Sequence, residues 1–244
     1  MKQIIEIIRD RTLDLVFPRH CPICHKILKN REWLICPECR EQVTPIREPY
    51  CKKCGKPVKE SREYCGDCAG GRHLFTEGRG IFFYNEIWKE SIVRYKYSGC
   101  REYGDFYGKM LWACGKKEIR RWKPDMIVPV PLHARKLRVR GFNQSEYIAD
   151  RLSELAGIPV KGNLVKKIRH TRSQKRLDAA VRRKNLREAF GMEARLDGKN
   201  ILVVDDVYTT GSTMDAMASV LRDHGAEAVF FLTVCIGKDN ESPL

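Results

Sequence analysis

"ILVVDDVYTTGSTM", residues 201–214, is the stretch that decides the fold. Its first four residues form an unbroken apolar run, which predicts a strand covered on both faces. The amphipathic segment from Ser212 onward predicts a helix. Asp205 and Asp206 therefore fall at the carboxyl end of a strand, where open α/β sheets bind ligands. "TTGST" leads straight into the helix N-terminus, whose free N–H groups and dipole attract a phosphate. Gly211 lets the backbone approach closely, and Thr209, Thr210, Ser212 and Thr213 add hydroxyl donors. The two acids cannot face that phosphate, because like charges repel. They suit sugar hydroxyls, to which a carboxylate accepts hydrogen bonds well, and directly or through water they suit a magnesium ion. Acids for a diol beside donors for a phosphate describe a ribose 5-phosphate. No G-x-x-x-x-G-K-[ST] occurs, which excludes a P-loop. A receiver-type phosphoacceptor site needs a further Asp and a Lys that the strand ending "LTVC" does not supply. Burying two adjacent carboxylates behind "ILVV" without a use is costly.

The surrounding pattern alternates strands and helices. "GRGIFFYNE" reads as a strand, and "WKESIVRYKYSG" as a helix ending at Gly99. "YGDFYGKMLWACGKKEIRRW" reads as a second helix and "DMIVPVPL" as a buried strand. "NQSEYIADRLSELAG" reads as a helix with Asn143 as N-cap, Glu146 completing a capping box, and Gly157 as C′ residue. Ile148, Leu152 and Leu155 form its inner stripe. "NILVVDD" is a strand, "STMDAMASVLRDHG" a helix with Met214, Met217 and Leu221 inward, and "EAVFFLTVC" the next strand. This alternation predicts an α/β fold, a parallel sheet flanked by helices.

The N-terminal third is of another kind. Eight of eleven cysteines fall in four C-x-x-C pairs. They are Cys21 and Cys24, Cys36 and Cys39, Cys51 and Cys54, and Cys65 and Cys68. A C-x-x-C turn delivers two thiolates to a tetrahedral zinc ion, and eight make two complete Cys₄ sets. With no export signal, this spacing favours metal over disulfides. All ligand positions are sulfur, so both zinc ions are expected to be structural. The short separations suit sequential pairing, with a cross-braced arrangement as the alternative. His20, His25 and His73 are expected at the surface. Cys100, Cys114 and Cys235 fit no pair and read as small apolar core residues.

The chain has 244 residues, 43% hydrophobic and 32% charged, with a formal net charge of +15. That size allows one medium domain with a core plus a smaller unit. Such a basic balance points to a polyanionic partner, nucleic acid or an anionic membrane surface. No run approaches the roughly 20 apolar residues of a membrane span. "MKQIIEIIRDRTLDLVFP" has charged interruptions and no cleavage site, so it reads as a short helix ended by Pro18 rather than a secretory signal. The expected location is the cytoplasm.

At these residues a family resemblance appears. "ILVVDDVYTTGST" resembles the signature of type I phosphoribosyltransferases, the loop that binds phosphoribosyl pyrophosphate. The whole chain looks like a ComF family protein of the ComFC type. It has the double zinc ribbon, then "SIVRYKYSG", then "VPVPLHARKLRVRGFNQSEYIADRLS", then the binding loop. The resemblance implies an N-terminal helix over 1–20, a double zinc ribbon over 21–70 and a phosphoribosyltransferase-like domain over 71–244. It implies that Asp205 and Asp206 face ribose hydroxyls, that residues 209–213 hold the 5-phosphate, and that magnesium accompanies the ligand. "VPVPLHARK" takes the place of the pyrophosphate loop, and "RHTRSQKRLDAAVRRKNLR" that of a loop covering the site. The family is associated with single-stranded DNA in natural transformation, beside a competence helicase of the ComFA type and a DNA-processing protein.

Arg135, Arg138, Arg140, Arg172 and Lys175 are candidates to neutralise pyrophosphate. Only nine residues follow "FFLTVC", which leaves no C-terminal hood to select an acceptor base; the segment from 78 to 120 is the candidate substitute. Two functions therefore fit. One is a nucleic-acid-handling module that retains a phosphoribosyl pocket. The other is an active phosphoribosyltransferase in nucleotide metabolism or salvage. The first draws on the basic residues: ten Lys or Arg stand between Leu164 and Arg187, with Asp178 the sole acid. Arg172, Lys175, Arg182, Arg183 and Lys184 are DNA-contact candidates there, with Arg135, Lys136, Arg138 and Arg140 upstream. On the ribbons Lys52, Lys53, Lys56 and Lys59 add charge, and Trp33, Tyr50 and Tyr64 are candidates for base stacking.

Overall fold

The computed structural model describes residues 18–30, 32–71, 73–168 and 189–238. Two four-residue helices, α1 (Pro37–Arg40) and α2 (Gly66–Ala69), lie in the cysteine-rich segment. Then follow β1 (Glu77–Phe83), α3 (Glu86–Tyr97), α4 (Tyr103–Trp122), β2 (Met126–Pro129), α5 (Ala134–Arg140) and α6 (Gln144–Ala156). A two-residue ribbon, β3 (Lys166–Lys167) with β4 (Phe190–Gly191), precedes β5 (Asn200–Tyr208), α7 (Ser212–Asp223) and β6 (Ala228–Ile236).

The main sheet has the order β1-β6-β5-β2, and every pairing in it is parallel. On β5, Leu202 and Val204 join the core shared with α4 and α6, while Ile201 and Val203 join the core shared with α7. Both faces are covered, which is why "ILVV" needs no polar alternation. The strand runs further than its apolar run suggests. Pairing with β6 continues through Val207 opposite Cys235 and Tyr208 opposite Ile236, so Asp205 and Asp206 lie inside the ladder rather than after it. Met214, Met217 and Leu221 are buried as expected. Leu155 is not: Ile148 and Leu152 face the core, but Leu155, in the last turn before left-handed Gly157, is 40% exposed. Asn143 caps α6 by accepting from the Ser145 amide at 3.2 Å. The N-terminal helix expected over 1–20 lies almost wholly outside the described residues.

The cysteine-rich segment straddles the sheet. Cys21, Cys36 and Cys39 share the α4-side core with Trp88 and Phe106, while Cys51, Cys54, Cys65 and Cys68 share the α7-side core with Phe75 and Tyr208. The first group is tied by Arg94 Nη2 donating to the Ile23 carbonyl at 2.8 Å, by His25 Nδ1 at 2.6 Å from the Tyr103 hydroxyl, and by an Arg19–Asp105 ion pair. The second is tied by the Gly78 amide donating to Lys53 O at 2.8 Å and by buried Lys56 donating to Lys238 O at 3.1 Å. Between them the chain crosses the β1 edge, where the Ile46 amide donates to Ile81 O at 2.8 Å. Arg79 holds this crossing. Its Nη2 donates to Ile46 O at 2.8 Å and its guanidinium lies 3.9 Å from the Tyr50 ring centre.

Two glycines in β1 are explained by what lies above them. A Cβ at Gly78 would sit 2.0 Å from the Phe231 ring, and one at Gly80 2.3 Å from Ile236 Cβ. Phe231 cannot yield, because it is buried and stacked on Tyr208 at 4.8 Å. Gly78→Val is expected to lower the melting temperature by roughly 5–10 °C or to prevent folding, as overpacking of this kind does. An unchanged thermal transition would show that β1 and the Phe231 ring are not in this contact.

Candidate functional site

The two acids on β5 have different surroundings. Asp206 is 3% exposed and is met by Lys96 from α3, whose Nζ lies 2.7 Å from Oδ2 and donates to Oδ1 at 2.9 Å. Burial works against the Lys96 charge, but Asp206 outweighs it and holds the ammonium above its ordinary value. Asp205, one position earlier, is only partly buried. Its Oδ1 accepts from Ser145 Oγ at 2.6 Å and from the Asp206 amide at 2.9 Å. Burial, with the neighbouring Asp206 charge, pushes the Asp205 carboxyl up to about 7. Lys96 and Ser145 went unrecognised in the sequence. Lys96 is 110 positions from its partner, and no local pattern marks such a pair.

Beyond β5 the chain turns through exposed Thr209 and Thr210 into α7. Thr210 Oγ1 and Ser212 Oγ are 2.9 Å apart. Gly211 is the N-cap residue at φ +80°, and no side chain caps the helix. The amides of Ser212, Thr213 and Met214 therefore have no partner within the helix and are available to an anion. Gly211 is required twice over, since a Cβ would meet His73 Cε1 at 2.6 Å and the Tyr208 hydroxyl at 2.7 Å. His73 is no surface residue: its ring is buried against the loop, with Nδ1 2.9 Å from Asp215 Oδ2. Asp215 also accepts from the Leu74 amide at 2.8 Å. The stretch joining the second cysteine cluster to the sheet thus clamps the first turn of α7.

Further cations lie on α5 and β3. Arg135, Lys136 and Arg138 are exposed on α5, a helix with no buried residue. Arg140 is committed: Nη1 donates to Gln144 Oε1 at 2.8 Å and Nη2 to the Tyr97 hydroxyl at 2.7 Å. On β3, Lys167 feels both Lys136 and Asp205, and burial lowers its ammonium below the ordinary value. Arg172, Lys175, Arg182, Arg183 and Lys184 lie outside the described residues. On the ribbons the expectation is corrected. Lys52 pairs with Glu63, Lys53 lies over the Phe75 ring at 5.4 Å and Lys56 is buried against Asp67 at 2.6 Å, so that of the four only Lys59 is exposed without a side-chain partner among the described residues. Tyr50 is covered by Arg79 and donates to Glu118 Oε1 at 3.0 Å, so it is not open to a base, whereas Tyr64 is exposed.

The cysteines form two clusters in sequential pairing, Cys21, Cys24, Cys36, Cys39 and Cys51, Cys54, Cys65, Cys68, each with its sulfurs within 4.8 Å of one another. Cys24 and Cys36 sulfurs, and those of Cys54 and Cys65, are 3.6 Å apart. The edge of a ZnS₄ tetrahedron with bonds of about 2.3 Å is roughly 3.8 Å. Donor type, number and spacing all fit structural zinc. In both clusters the residue after the second cysteine, His25 or Gly55, has positive φ, and the third cysteine caps a short helix.

Comparison with known proteins matches residues 12–69 to a double zinc ribbon domain and residues 116–243 to a phosphoribosyl transferase domain. Competence protein F of Haemophilus influenzae is 31% identical over 217 residues, 86% of this chain and 92% of that protein. DNA utilization protein YhgH of Escherichia coli is 31% identical over 224 residues, 91% of this chain and 98% of that protein. Competence protein ComFC of Bacillus subtilis is 27% identical over 201 residues, 80% of each chain.

Two outcomes follow from the site. Metal analysis should find two zinc ions per chain, and Cys51→Ser should leave one, because the clusters share no ligand. Loss of both ions in that variant would show the sites to be interdependent. For Asp205, the folded chain keeps a proton between the ordinary aspartate value of about 4 and about 7 that the unfolded chain has released. Stability therefore falls as pH rises through that window. Asp205→Asn keeps an acceptor for Ser145 but does not titrate. It should raise the melting temperature near pH 8 by several degrees, at roughly 2–4 °C per kcal/mol, with the gain vanishing toward pH 4. A gain independent of pH would show that the acid is not protonated in the fold.

Proposed function

Since the chain belongs to the ComF family, with a double zinc ribbon followed by a phosphoribosyl transferase domain, we propose that it handles incoming single-stranded DNA in natural transformation. We further propose that residues 205–213 bind phosphoribosyl pyrophosphate or ribose 5-phosphate with magnesium. The observation that carries the pocket is a juxtaposition. The uncapped α7 N-terminus follows the strand that carries Asp205, Lys96 pairs with Asp206, and Lys167 feels the Asp205 charge. The amides take the 5-phosphate, and Asp205 takes a ribose hydroxyl or, through water, the magnesium ion. The DNA reading is supported by the relatives' names, competence protein and DNA utilization protein, and by the +15 charge. It places the protein in the cytoplasm beside a competence helicase and a DNA-processing protein. Among the described residues no helix is long and apolar enough to cross a membrane.

The test is fluorescence anisotropy of an oligothymidylate, titrated at several salt concentrations with and without phosphoribosyl pyrophosphate and magnesium. Log K should fall with log salt at a slope of about −0.7 per phosphate neutralised. Replacing Arg182, Arg183 and Lys184 with Ala should make that slope shallower. Calorimetry should find the ribose ligand bound by the wild type and lost in Asp205→Ala, Asp206→Ala. Absence of DNA binding at low salt overturns the DNA reading, and equal ligand affinity in the double variant overturns the pocket. Rapid pyrophosphate release with a base would instead support the transferase reading.

A further inference from the structure

The last turn of α3 sends three consecutive side chains to three destinations. Tyr95 is buried and its hydroxyl donates to Gln144 O at 2.8 Å, anchoring the start of α6. Lys96 reaches Asp206. Tyr97 points outward and is 62% exposed, at the point where the helix ends before left-handed Gly99. A lone exposed tyrosine needs no explanation, but this one is braced. The Arg140 guanidinium lies 4.7 Å from its ring centre, donates to its hydroxyl, and is itself fixed by Gln144. One side of the ring is thus backed by a held cation while much of the residue stays open to solvent.

Arg140 belongs to α5, "ARKLRVR", whose composition deepens the point. The helix has no buried residue, and Val139 is 77% exposed. Seven residues with no fully buried side chain gain little from the core and are too short to be stable alone. What holds α5 is its caps at His133 and Gly141 and the ties of Arg140. It presents Arg135, Lys136 and Arg138 to solvent. A fixed aromatic face beside a short row of cations is the arrangement that takes a stacked base with its phosphates alongside.

We propose that Tyr97, braced by Arg140, is a base-stacking platform for single-stranded nucleic acid, with the strand's phosphates running along α5. This rests on the DNA reading above and assigns it a place beside the acid pair. The paired bases of a duplex have no free face to offer the ring, so the occupant is single-stranded.

The test compares an oligothymidylate with an abasic oligonucleotide of equal length and charge. Tyr97→Ala should weaken oligothymidylate binding by roughly 5- to 100-fold without changing the salt slope, because no phosphate contact is lost. It should leave abasic binding unchanged. Tyr97→Phe, which keeps the ring, should retain most of the affinity. Replacing Arg135, Lys136 and Arg138 with Gln should weaken both oligonucleotides and flatten the slope. If the wild type binds neither, the DNA reading itself fails. If it binds oligothymidylate and Tyr97→Ala binds equally well, the platform is wrong while the DNA reading stands. Equal weakening of both oligonucleotides by Tyr97→Ala would show that the residue acts through Arg140 and not by stacking.

Discussion

Two carboxylates next to each other in the central region of a sheet covered on both faces are an electrostatic burden, and Lys96 is what offsets it. Its ammonium sits within 2.9 Å of both Asp206 oxygens. Deprived of that partner, a buried carboxylate would be expensive to keep. The position of α3 is therefore tied to the chemistry of β5. The same helix is fixed from two other directions, by Tyr95 to the start of α6 and by Arg94 to the Ile23 carbonyl.

Followed outward, these ties give the two cysteine clusters distinct jobs. The first cluster's neighbour Ile23 braces α3, and through Lys96 it bears on the acids. The second leads through His73 and Leu74 to Asp215 and Gly211, and so bears on the turn into α7. Each cysteine cluster buttresses one of these two neighbourhoods from its own face of the sheet. The segment is part of the architecture of the site rather than an appendage to it.

The alternation of apolar runs and amphipathic stretches was enough to read the strands and helices around residues 201–214, because parallel strands buried on both faces and amphipathic helices each leave a periodic mark. The C-x-x-C spacing was enough to read the metal sites for a similar reason: the ligand geometry is local. What sequence could not disclose is long-range pairing. Lys96 looks like any lysine at a helix end, Ser145 like any residue in a first turn, and His73 like a linker histidine. Their partners lie far along the chain and are chosen by packing. Tyr50 failed as a base-stacking candidate for the same reason, since nothing near it in sequence foretells Arg79 over its ring. Leu155 fits the helical period, yet the last turn of α6 runs past the core.

The sheet order carries a consequence for how the chain assembles. β1 has a single partner in the main sheet, β6, which is the last strand among the described residues. In synthesis from the N-terminus, β1 and both cysteine clusters emerge long before that partner exists. Contacts this distant in sequence close slowly. Until β6 arrives, an edge strand with unpaired backbone groups is open to other chains. In the folded protein the outer edge of β1 is bonded by Ile46 and Lys53 from the cysteine-rich segment. Those neighbours are already synthesised when β1 appears. The metal-bound segment can shield that edge early, so that β1 waits, protected, for β6.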